Sequence, residues 1–169
     1  PMRHLDLWGS ILLIFVGFGW AKPVPVDPRR FKHPKRDMAI TAAAGPVSNI
    51  IMATVLLTVL KILYYLSFTG SSGFYLLLSI LEIVIIVNLG LAVFNLLPIP
   101  PLDGSKLLGA LLPDRIYYRI ARYDRIIMLA LFALLWTGVL SMPLSFLRNQ
   151  LLILLDFVTR PIDLLLAGR

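Results

Sequence analysis

Residues Asn95 to Gly104 read N-L-L-P-I-P-P-L-D-G, which puts an amide, three prolines and a carboxylate within ten positions. A carboxylate can bind a metal or move a proton, and an amide can hold a carbonyl oxygen. The stretch closes an apolar run that starts near Phe74 and is long enough to be a membrane helix. Pro98, Pro100 and Pro101 stop helical hydrogen bonding there. Gly104 frees the backbone behind Asp103. Asp103 therefore sits on irregular backbone at the end of a span. That is costly in lipid unless protein, water or a metal surrounds it. Two readings stay open on these residues alone: an interfacial turn whose aspartate meets water, or a functional carboxylate.

The rest of the chain must position that carboxylate. It has 169 residues, 59% of them hydrophobic, which excludes an ordinary soluble domain and predicts one multi-span membrane domain over 1–169. The net charge of +7 is not a nucleic-acid signal. The basic residues gather at span ends, and no aromatic side chains interleave with them as a stacking platform. Cysteine is absent, so disulfides, thiolate ligands and a cysteine nucleophile are excluded. No signal peptide is visible.

Hydropathy predicts spans over about 39–66, 74–97 and 126–142. Residues 143–166 suit either an amphipathic interfacial helix or a tilted span. The loop 27–38, D-P-R-R-F-K-H-P-K-R-D-M, is basic and belongs in the cytoplasm. The turn 67–73 carries no charge and fits the outer side. The 74–97 span then runs inward and delivers Asp103 to the cytoplasmic half. Residues 105–125 start with a short helical stretch and continue as a basic, tyrosine-bearing interfacial segment. Residues 11–26 are too short and glycine-broken to span. Their β-branched and aromatic content with Gly17 and Gly19 predicts a bent strand pair, its second arm limited by Pro23 and Pro25.

Polar side chains inside the spans are the remaining candidates. Asn49 wants a partner, either across helices or at an active site. Lys61 lies near the far end of its span and is expected to snorkel. Glu82 is the only glutamate, about 20 residues or ~30 Å of helix from Asp103, and is expected on the outer side. Asn88 is expected to bond across helices. His4 reads as interfacial. His33, between Lys32 and Pro34, reads as a surface residue.

The decamer resembles the N-x-x-P-x-x-x-x-D-G motif of the site-2 protease family, the intramembrane zinc metalloproteases. G-F-G-W-A-K-P-V-P-V at 17–26 and A-G-P-V-S-N at 44–49 resemble two further family stretches, in the same order. The resemblance extends to about Leu112. It implies an all-α polytopic membrane protein with a short membrane-associated β-hairpin at 11–26. It implies the compact branch of the family, without a PDZ domain, in the cell membrane. It assigns Asp103 as a zinc ligand and Asn95 as the amide that bonds substrate or the developing oxyanion. Pro98 and Gly104 become backbone-shaping positions, and Asn49 enters the active-site region. The hairpin residues Gly17, Phe18, Gly19 and Trp20 would offer an edge to a transmembrane protein substrate, unwound and added as a strand.

One departure is plain. The family draws two zinc ligands and a general base from H-E-x-x-H, and these 169 residues do not contain it. The two histidines, His4 and His33, lack the spacing. The expectation is therefore a fragment, opening on Pro1, whose remaining ligands lie upstream and which is inert alone. Two other classes stand beside the protease: a non-catalytic scaffold or pseudoprotease that holds helices, and a small transporter. The transporter lacks the paired repeats such proteins show. The oligomeric state is not encoded legibly.

Overall fold

The computed structural model describes Asp27, residues 30–66 and residues 71–167. The expected hairpin at 11–26, with Gly17, Phe18, Gly19 and Trp20, lies outside the described residues, as does His4. Backbone contacts group residues 1–34 and 35–169 as separate units. Within the first, Arg30 pairs with Asp27 at 3.8 Å, both largely in solvent. The account that follows concerns the second.

Every regular element among the described residues is helical. Two helices are long and apolar enough to cross a membrane: α1, Pro34–Tyr65, and α2, Ser72–Leu96. The first begins five residues before the hydropathy boundary at 39. The reason is local. Pro34 suits a first helical position, where its missing N–H costs nothing, and Asp37 meets the positive helix end. At ~1.5 Å per residue, 32 residues reach ~48 Å, well beyond a ~30 Å hydrocarbon core. The helix is therefore long enough to cross while leaving its charged opening turn, with Lys35, Arg36 and Asp37, outside the hydrocarbon. Pro46 lies three turns inside the helix, and it is fully buried.

Several hydroxyl groups and one amide within these helices turn to their own backbone, the cheapest partner in lipid. Thr41 donates to Asp37 O at 2.8 Å, Ser48 to Gly45 O at 2.7 Å, and Thr54 to Ile50 O at 2.8 Å. Asn88 does the same: its Nδ2 donates to Val84 O at 2.8 Å. The cross-helix bond expected of Asn88 is replaced by this one, because a carbonyl four residues back is already within reach of a short amide.

Four further helices follow: α3, Asp103–Leu111; α4, Asp114–Ala121; α5, Asp124–Trp136; and α6, Ser141–Ala167. The stretch expected as a span over 126–142 is interrupted. Its helix stops at Trp136 after 13 residues, about 20 Å, and α6 leaves at 86°. Gly138 makes the stop. It adopts φ +73°, and its N–H bonds Leu135 O at 3.1 Å, as a left-handed C-terminal glycine does.

The core joins three helices: Ala53 and Leu57 of α1, Ile85 and Leu89 of α2, and Leu155 of α6. Ala53 and Leu89 are fully buried, and the alanine lets the backbones approach. Outward-facing Ile51, Val55, Leu76, Ile83 and Val87 remain exposed, as suits helices whose solvent is lipid. An ionic fastening adds to this core. Lys61 Nζ lies 2.8 Å from Asp156 and 2.6 Å from Asp163, both on α6. The lysine side chain is only 12% exposed. Where snorkelling was expected, the lysine meets two carboxylates seven residues apart, near one face of α6.

Candidate functional site

The helix α2 ends where the prolines require it. The N–H of Leu97 bonds Phe94 O at 3.2 Å, and a turn closes from Leu102 N–H to Ile99 O at 2.9 Å. The chain then enters α3, whose first residue is Asp103. A carboxylate at that position lies at the positive end of the helix dipole. Ser105 secures the turn: its hydroxyl donates to Leu102 O at 2.7 Å, and its N–H bonds the same oxygen at 3.0 Å.

Gly104 shows why the motif ends as it does. A Cβ added there would run into the carbonyl oxygens of Leu96 and Leu97, so the backbone of α3 lies directly against the end of α2. Only glycine permits this approach. Pro98, the other backbone-shaping position, is exposed on the loop side.

Asp103 is not out in bulk solvent. Its side chain is 33% exposed, and it faces α1. A Cβ built on Gly45 would come within 3.6 Å of Asp103 Oδ2. Gly45 belongs to the A-G-P-V-S-N stretch, so the two motifs read separately in the sequence meet across α1 and α3. The other carboxylate oxygen is engaged: Lys106 Nζ donates to Oδ1 at 2.9 Å. Among the described residues, Oδ2 accepts no hydrogen bond. Sequence reasoning missed Lys106. The signal was present, since three residues apart on a helix is contact spacing.

Asn49 is half-buried, one turn beyond Gly45 and hence on the same side of α1, with no hydrogen bond to the described residues. Asn95 is half-buried in the last turns of α2 and has no hydrogen bond to Asp103. Glu82 is exposed on α2, and His33 is exposed before α1.

The donor set fits one metal ligand. Asp103 presents one oxygen bonded to a lysine and one directed at a glycine, where a larger residue would fill the space in front of it. Among the described residues, no three His, Asp or Glu side chains gather as a complete metal site.

Comparison with known proteins decides the family. The family model described as peptidase family M50 matches residues 65–138, which include the decamer and its helix. A Bacillus subtilis (strain 168) protein described as "Putative zinc metalloprotease YwhC" is 37% identical over 173 residues, covering 96% of this chain and 76% of that protein. The chain belongs to peptidase family M50, the site-2 protease family. That membership and the two apolar helices make it a membrane protein of the zinc metalloprotease kind. No solved structure matches it.

Proposed function

We propose that the intact protein is an intramembrane zinc metalloprotease that hydrolyses peptide bonds of transmembrane substrates near the cytoplasmic face of the cell membrane. The single observation that carries this reading is the approach of Asp103 Oδ2 to Gly45. It joins the two motif stretches at a carboxylate that no described residue occupies on that side. The topology rests on charge asymmetry: Lys35 and Arg36 open α1, whereas 67–73 carries no charge.

Each residue then has a definite task. Asp103 supplies one ligand through Oδ2, while its Oδ1 stays with Lys106. The described residues contain no other ligand set, so the remaining ligands and the general base lie outside them. A zinc ion held there in part by Asp103 would supply Lewis-acid chemistry for peptide hydrolysis. The amide of Asn95 holds a substrate carbonyl or the charge that develops on it. Gly104 and the proline turn fix where α3 starts, and so where the carboxylate points. Gly45 keeps the space before Oδ2 open.

The test is cleavage of a transmembrane substrate by the intact protein in membranes. Asp103→Asn should lower the rate by more than about 100-fold, since ligand loss exceeds the 10- to 100-fold typical of outer-shell changes. Membrane insertion should be unchanged. Full cleavage by the variant would remove Asp103 from the ligand set. The second reading is a non-catalytic scaffold that holds helices. It predicts an intact protein without stoichiometric zinc.

A further inference from the structure

The helix α4 carries a basic face that the protease reading does not use. Arg115 and Arg119 are four residues apart and therefore lie on one side. Arg122 follows a turn later on the same side, just past the helix end. All three are exposed, and none forms an ion pair with the described residues. The opposite side carries Ile116, Tyr117 and Ile120. Ile116 is itself 47% exposed, so an apolar flank is open beside the basic one.

Two attachments fix where this helix stands. Asp114, its first residue, pairs with Lys35 of α1 at 2.8 Å. Lys35 opens a helix long enough to cross while leaving that charged turn outside the hydrocarbon. At the same time Tyr117 packs against Gly109 of α3, so closely that a Cβ on the glycine would meet its ring. The basic face of α4 is thus held at the height of lipid phosphates, next to the start of a membrane span. A short helix with arginines on one side and exposed isoleucine on the other is suited to lie in that plane.

We infer that the Arg115, Arg119 and Arg122 face of α4 is a binding surface for the phosphate headgroups of anionic phospholipids. Guanidinium groups recognise phosphate oxygens bidentately, and the Ile116 flank enters the acyl boundary. This surface stands whether or not Asp103 binds zinc. Its partner is the bilayer itself, so its effect is to dock the α3–α4 corner onto the cytoplasmic leaflet.

The test uses the intact protein in nanodiscs of phosphatidylcholine mixed with phosphatidylglycerol. The readout is the ratio of the two lipids that remain bound on gentle extraction. The wild type should retain phosphatidylglycerol preferentially, and raising salt should erode that preference. The double variant R115Q/R119Q should lose about five-fold per arginine, whereas R115K/R119K keeps most of the preference. The charge-matched variant R148Q/R160Q, altered on α6, should behave as wild type. An unchanged ratio in R115Q/R119Q overturns the inference, and so does an equal loss in R148Q/R160Q, which would reduce the effect to net charge.

Discussion

Two of the contacts between lysine and aspartate in this protein do different work. At one, Lys106 meets Asp103 from three residues away on the same helix, with both side chains about one-third exposed. At the other, Lys61 reaches from α1 to Asp156 and Asp163 on α6, about a hundred positions along the chain. Here the lysine is nearly enclosed, and Asp163 is 29% exposed. A local, half-wet pair stabilises little, so its consequence is directional: it occupies one carboxylate oxygen and leaves the other toward Gly45. The long-range cluster joins elements, and an enclosed charge that loses its partner is expensive. The same chemistry orients a carboxylate in one region and fastens a helix in the other.

Substitutions in the two regions would break or sharpen this contrast. The largest effect is expected at the orienting end, from Gly45→Leu. Its side chain fills the space before Asp103 Oδ2 and should lower substrate cleavage by roughly 10- to 100-fold, a loss typical of ångström-scale displacement. Gly45→Ala places its methyl at ordinary contact distance and should retain most activity. Equal rates for the two variants would show that the space is irrelevant.

Gly104→Ala comes next. The added methyl collides with the backbone of Leu96 and Leu97, neither of which can swing away as a side chain would. It should cost about 3 kcal/mol, at the upper end for overpacking, read as a lowered midpoint in thermal unfolding in detergent. Lys61→Met should cost about 2 kcal/mol, less than a fully buried pair because Asp156 stays 64% exposed. Limited proteolysis of α6 should report its release from α1. Asp163→Asn should reproduce most of that loss and Asp156→Asn little of it. Lys106→Met should shift the unfolding midpoint least, by about 0.5 kcal/mol or under. A Lys106 variant as destabilised as the Lys61 variant would erase the distinction between the regions.

Much of this arrangement was legible in the sequence, and the physical reasons divide cleanly. The span α2, its proline-forced end and the position of Asp103 follow from local rules: apolar length, missing N–H groups and a glycine. Family resemblance linked A-G-P-V-S-N to the decamer, although no rule of spacing places Gly45 opposite Asp103. What local rules could not reach was partner choice. Asn88 was expected across helices because a membrane amide needs a partner, yet Val84 O was nearer. Lys61 was expected to snorkel because its partners lie about a hundred residues away in sequence. The break at 137–140 escaped notice because hydropathy sums over a window and does not register that Gly138 has left the right-handed region. Lys106 was overlooked although its spacing to Asp103 was in plain view.

The central claim is that Asp103 Oδ2 binds zinc in the intact protein. Zinc K-edge X-ray absorption on the purified intact protein, beside its Asp103→Asn variant, tests it most directly. The account predicts about one zinc per wild-type chain with a carboxylate oxygen in its ligand shell, and a variant with reduced zinc content or a shell altered at that oxygen. Full zinc content with an unchanged spectrum in the variant would contradict it.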